Sequence, residues 1–254
     1  MGDFLAIMSG CFVGFTLGLI GGGGSVIATP LLLYLVGLEP HMAIGTGALA
    51  VSANAFVNFA GHARAGNVRW PVAIIFAITG AVGATIGSTI GKAVDGQKLI
   101  LLFGLMMVVI GLLMLRPRGK GGDGVLVMTK TAISKIVATG LLVGLLAGFF
   151  GIGGGFLIVP GLILSTGMPM IYAVGTSLLA VGTFGLTTAI NYSLSGMVNW
   201  PIAGEFILGG VAGGFLGMKA AIRLSGQRNT LNRMFAALVL GVAAYIIYRS
   251  IHQH

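Results

Sequence analysis

Positions 21–25 read Gly-Gly-Gly-Gly-Ser inside an apolar run from Phe4 to Gly37, with Pro30 following, and the same event occurs a second time. Adding 130 to each number reaches Gly151-Ile152-Gly153-Gly154-Gly155 and Pro160, and the register continues without a gap through Gly37/Gly167, Gly45-Thr46/Gly175-Thr176 and Trp70-Pro71/Trp200-Pro201. The chain is a tandem duplication in which each copy carries one apolar segment broken by glycine at the same place. Glycine lowers helix propensity by about 0.8–1 kcal/mol per residue relative to alanine. The run therefore predicts two short helices separated by unwound chain, and paired interruptions of this kind point to the binding site of a transport protein.

The breaks matter because of where they must lie. With 56% hydrophobic and only 7% charged residues, the chain reads as an all-α polytopic membrane protein, since apolar stretches near the roughly 20 residues needed to span a bilayer recur along its length. Irregular backbone at that depth is tolerated only where it is buried in protein or lines a cavity. The pattern gives two four-segment repeats, residues 1–118 and 136–254, joined by a basic cytoplasmic linker at 119–135 that is rich in glycine and charge. In the first repeat the broken segment is followed by spans from about His41 to Gly61, Trp70 to Gly91 and Leu99 to Leu115. In the second, Ile136 to Thr166 is followed by Ile171 to Tyr192, Trp200 to Ala221 and Leu231 to Tyr248.

Fourteen Lys and Arg against five Asp and Glu give a net charge of +9. In a membrane protein that excess marks cytoplasmic loops and not a nucleic-acid partner. Arg64 and Arg69 flank the first Trp-Pro loop, whereas its counterpart Tyr192 to Asn199 is uncharged; Lys219, Arg223, Arg228 and Arg233 follow the seventh span, whereas its counterpart nets little charge. The positive-inside rule then places the two Trp-Pro loops on opposite sides. Inverted halves need an odd number of crossings, which a re-entrant broken segment supplies and which would leave both termini outside. Arg249 near the C-terminus speaks against it, and eight full spans with parallel halves is the competing arrangement.

Candidate site residues follow from the breaks. Backbone N–H groups of Gly21, Gly22, Gly23, Gly24 and Ser25, and of Gly151, Gly153, Gly154 and Gly155, together with the positive ends of the short helices after them, suit a small anion, with the two broken helices facing each other near mid-membrane. Thr46, Asn54, Asn58, Thr176 and Asn191 are further donors, with Asn54 and Asn58 on one helix face. Each has a plain alternative in interhelical hydrogen bonding or, for hydroxyls such as Thr183 and Thr187, bonding back to the helix's own carbonyls. Gly80, Gly83 and Gly87 share a face suited to close helix packing, and such faces equally suit a homodimer. Glu205 is the acid placed inside the membrane in the second half, a candidate for proton coupling, with an interfacial position as the alternative.

Other classes fit poorly. The single Cys11 excludes an intrachain disulfide, and no His/Cys cluster suggests a metal or other cofactor. The four histidines, His41, His62, His252 and His254, fall in predicted loops or at the terminus, so Ser25 finds no triad for an intramembrane hydrolase. No Gly-Lys-Ser/Thr follows the glycines, which argues against an ATP-driven pump. A passive anion channel would use the same ring of N–H groups.

The doubled glycine break followed by proline, with the doubled Trp-Pro, resembles the sulfite exporter TauE/SafE family, which includes toluene-sulfonate uptake permeases. The resemblance spans nearly the whole chain and is most specific at Gly151 to Gly155 with Pro160; Ser25 replaces the last glycine of the motif in the first copy. It implies a multi-pass transporter in a membrane of the bacterial inner-membrane type, and not an enzyme. Its implied substrates are sulfite, sulfonates or sulfoacetate-like anions.

Overall fold

A computed structural model describes residues 2–115, 129–151, 155–224, 237, 239–246 and 248. Much of the linker at 119–135, the motif residues Gly153 and Gly154, and the basic residues Arg228, Arg233 and Arg249 lie outside the described residues. The described residues are helical, without a strand. The order is α1 (Gly2–Ile20), a 3-10 segment (Gly21–Ile27), α2 (Ala28–Tyr34), α3 (Pro40–Arg64), α4 (Trp70–Ala93), α5 (Gly96–Leu115), α6 (Lys130–Phe150), α7 (Gly155–Thr166), α8 (Met170–Ser193) and α9 (Trp200–Leu224). Residues 239–246 form a further helical stretch. Among the described residues, five helices, α3, α4, α6, α8 and α9, are long and apolar enough to cross a membrane.

Local chemistry sets the boundaries. Pro40 and Pro71 sit in the first turns of α3 and α4, where a missing N–H costs little. The first glycine of each break ends a helix: Gly21 has φ 69° and Gly151 φ 66°, the left-handed conformation that glycine adopts without a Cβ penalty. Gly151 N–H bonds back to the carbonyls of Ala147 and Gly148. Positive φ falls at Gly21, Gly37 and Gly66 and again at Gly151, Gly167 and Gly196. The chain after Gly21 differs from the expected unwound coil, since it is a 3-10 helix that runs into α2. Buried amides need partners, and i→i+3 bonds supply them where glycine disfavours the α form.

Helix directions follow from which residues meet. A methyl at Gly10, Gly14 or Gly18 of α1 would strike the carbonyl of Phe206, Gly210 or Gly214 of α9, and one at Gly144 or Gly148 of α6 would strike that of Gly80 or Ala84 of α4. Both pairs thus run parallel, with backbones close enough that only small residues fit. Gly83 and Gly87 of α4 abut the carbonyls of Leu141 and Leu145 of α6, as their spacing predicts, whereas the open side of Gly80 seats the Phe184 ring of α8. α3 lies parallel to α9, with Asn54, Asn58 and Gly61 level with Gly210, Gly214 and Met218.

α3 and α8 cross in opposite senses. The His41 ring lies near that of Tyr192, centroids 6.2 Å apart and tilted by 40°; Gly185 lies on the Ala48 carbonyl and Gly182 on the Phe56 ring; and Ser52 Oγ donates to the Gly182 carbonyl at 2.6 Å where the two helices cross. Hence α1, α3 and α9 run one way and α4, α6 and α8 the other.

Candidate functional site

The two glycine turns sit at opposite ends of the α3–α8 pair. Gly21 lies against Val174 and Ser177, in the first two turns of α8, and Gly151 lies against Ile44, in the first two turns of α3. Because those helices are antiparallel, the turns do not face each other across the centre as the sequence suggested. What meets instead is the pair of arms that follow the turns, the 3-10 segment packing against α7. The contact is tightly enclosed: Ser25, Val26, Ile27 and Thr29 on one arm, and Leu157, Ile158 and Val159 on the other, are each at most 5% exposed. Thr29 Oγ1 is buried and has no hydrogen-bond partner, although it lies beside Gly47.

The other polar residues are held in three ways. Thr46 and Thr176 join helices to loops, their hydroxyls accepting the backbone N–H groups of Asn199 and Arg69 at 2.9 and 3.0 Å. Thr183 and Thr187 bond back to the carbonyls of Leu179 and Thr183. Asn191 belongs to a clasp between α8 and α4: Lys92 Nζ donates to Asn191 Oδ1 at 2.7 Å, to its backbone carbonyl at 3.0 Å and to Ser195 Oγ at 2.8 Å, while Asn191 Nδ2 donates to Ser88 Oγ at 2.7 Å. Where the clasp stands in one half, Gly61, Met218 and Ile222 stand in the other.

Asn54 and Asn58 are different. They rest on Gly210 and Gly214, whose missing Cβ atoms leave the seats they fill, and they are 0% and 3% exposed. Asn58 Nδ2 donates to the Asn54 carbonyl at 2.8 Å, but neither polar atom of the Asn54 side chain has a partner. One turn beyond Asn58, His62 is fully buried in the last turn of α3, with Nε2 3.2 Å from the Gly18 carbonyl of α1. The sequence reading set His62 in a loop because charged and small residues follow it. The available signal was its four-residue spacing from Asn58 and Asn54. Glu205 is half-buried near the start of α9, and its Oε2 is buried without a partner.

Charge is sorted by end. Arg64 and Arg69, Lys130 and Lys135 at the start of α6, and Lys219 and Arg223 late in α9 all lie at one end; Glu39, Glu205 and Asp95 share the other with Lys92 and Lys98. Among the described residues, no group of three His, Cys, Asp or Glu could hold a metal ion.

A bundle of long apolar helices with glycine breaks, and with most of its described cations gathered at one end, defines a multi-pass membrane protein. Residues 6–246 match the family described as sulfite exporter TauE/SafE, and the chain belongs to that family. It is 55% identical to a probable membrane transporter protein of Xylella fastidiosa (strain Temecula1) over 252 residues, covering 97% of this chain and 95% of that one. It is 29% identical to the probable membrane transporter protein YunE of Bacillus subtilis, covering 99% of each. A probable membrane transporter protein of Methanocaldococcus jannaschii is 27% identical over 204 residues, covering 77% of this chain and 71% of that one. No solved structure matches.

Proposed function

We propose that the protein is a secondary transporter of small sulfur-containing anions such as sulfite, sulfonates or sulfoacetate, built from two inverted repeats whose glycine-broken segments are re-entrant. α1 and α3 run the same way, so the chain between them, through the 3-10 segment and α2, returns to the side where α1 began. The same holds for α6, α7 and α8. Three crossings per half then put every cation-rich segment named above on one side, as the positive-inside rule requires.

The observation that carries the reading is the meeting of the two glycine-broken arms in the core while their turns reach opposite ends. Each turn is then placed to serve one side of the membrane, and the arms share a centre. In this reading the donors for an oxyanion are main-chain N–H groups at the opening of the 3-10 segment, before its i→i+3 bonds begin, and at Gly155, the first residue of α7. A helix start carries partial positive charge, and glycine lets the ligand approach the main chain. Glu205, with an unpartnered oxygen, is the carboxylate placed to couple protons.

The test is uptake by proteoliposomes of sulfite, thiosulfate, taurine, sulfoacetate and acetate. Saturable uptake of a sulfur anion, lost in Gly23→Leu and Gly153→Leu variants that remain folded, supports the reading. Uptake of none of the sulfur compounds, or uptake undiminished from wild type in both variants, overturns it; uptake that never saturates indicates a channel.

A further inference from the structure

Asn54, Asn58 and His62 recur every four residues along α3 and so share one face. All three are buried, at 0%, 3% and 0% exposure. Three of their polar atoms, Asn54 Nδ2, Asn54 Oδ1 and His62 Nδ1, have no partner. A buried polar group left unsatisfied costs about 1–3 kcal/mol, and native structures keep few, so a cluster of three on one face calls for a role. The line ends at the Gly18 carbonyl, 3.2 Å from His62 Nε2, three residues before the turn at Gly21. With Nε2–H donating to that carbonyl, Nδ1 is the nitrogen left to gain or lose a proton. The equivalent positions in the other half are Phe184, Thr188 and Tyr192, none of which titrates near neutral pH.

The neighbours of His62 sharpen the point. α1 brings the Gly18 carbonyl, with Cys11 two turns earlier; α9 brings Gly214 and Met218, followed by Lys219 and Arg223; α3 itself adds Arg64; and the α3–α4 loop adds Arg69, whose guanidinium lies 4.0 Å over the Tyr172 ring of α8. Among the described residues this end carries cations and no carboxylate. A charged imidazole here therefore has no counter-ion among the described residues. An arriving anion would supply one, and a nearby opposite charge favours the charged form of the side chain whose ordinary titration lies between about pH 5 and 8.

We infer that His62 is a proton-binding residue of the anion site: a proton taken from solvent onto Nδ1 balances an anion held near the turn after α1, so that proton and anion bind together. This rests on the anion-transport reading above and adds to it a named residue and a stoichiometry. Such coupling is reciprocal. The anion binds more tightly as pH falls through the imidazole range, and each anion bound brings up to one proton.

The experiment is calorimetric titration of the purified protein with methanesulfonate and with thiosulfate, whose charges stay constant near neutral pH. Each titration is run in two buffers of different ionisation enthalpy, so that proton uptake is read directly. Wild type is expected to take up a proton per anion and to lose about tenfold in affinity per pH unit above the imidazole range. His62→Gln, which keeps a neutral N–H donor for Gly18, is expected to bind more weakly, with no proton uptake and a flat pH profile. His62→Asn serves as a second variant should the glutamine protein fail to fold. Anion binding by wild type without proton uptake overturns the inference while leaving anion transport standing. So does proton uptake that persists in the His62 variants but vanishes in Glu205→Gln. Binding of neither anion overturns both.

Discussion

Asn54, Asn58 and His62 on α3 occupy the places that Phe184, Thr188 and Tyr192 occupy on α8. The seats match: Asn54 rests on Gly210 of α9, and the Phe184 ring rests on Gly80 of α4. The occupants do not: one face is an amide–imidazole line, and the other stacks Phe184 on Phe76 with centroids 6.1 Å apart and carries the hydroxyls of Thr188 and Tyr192, so both faces hold buried unpartnered atoms but only one holds a group that titrates near neutral pH. Under the proposed two-repeat plan, the halves share backbone geometry, held by glycine at close approaches, while side chains on that backbone diverge. The clasp around Lys92, set against Gly61, Met218 and Ile222, repeats the lesson at the other end of the bundle.

The largest expected effect separates packing from function. Phe184→Ala removes a fully buried ring and should lower stability by about 3–5 kcal/mol. Asn54→Leu keeps much of the volume while deleting an unpartnered amide, so thermal melting in detergent should change little or rise, and anion uptake should fall. Normal uptake by Asn54→Leu would make the polar face structural. Next comes a test of sameness: Gly14→Val and Gly144→Val each force a side chain into a facing backbone and should each cost about 3 kcal/mol or more. Strongly unequal losses of folded protein would break the equivalence of the two seams. Lys92→Met strips three hydrogen bonds from the α4–α8 clasp and should cost about 1–3 kcal/mol, whereas Ile222→Met at the equivalent place should cost under about 1.5 kcal/mol. Smallest are Thr46→Val and Thr176→Val, each removing one acceptor for a loop N–H at about 1 kcal/mol, with matched shifts expected in the two melting curves.

Much of the fold was legible because it rests on residues with a single physical use. Gly21 and Gly151 stop helices, Pro71 opens one, and Gly83 and Gly87 admit a neighbouring backbone, so their spacing in sequence is their spacing in structure. The site was less legible. Four glycines signalled a broken α-helix but not the 3-10 form, which is chosen because a buried main chain must still pair its amides. Facing glycine turns were expected, yet their placement at opposite ends depends on α3 and α8 being antiparallel, which no local motif encodes. His62 was misplaced because Arg64 and Gly66 resemble a loop, although α3 continues through Arg64 with the imidazole turned inward against Gly18. Asn191 looked like a donor lining a cavity; its partner Lys92 lies 99 positions away, beyond the reach of any spacing rule.

Everything proposed here depends on one backbone plan used twice in opposite senses. The direct measurement is sidedness: Ala65→Cys and Leu194→Cys, each in a Cys11→Ser background, placed in the exposed turns that follow α3 and α8 and probed with a membrane-impermeant maleimide in intact cells and in inverted vesicles. Inverted halves predict labelling of position 194 from outside and of position 65 from the cytoplasmic side alone. Labelling of both from the same side would contradict the inversion and restore parallel halves with eight full spans.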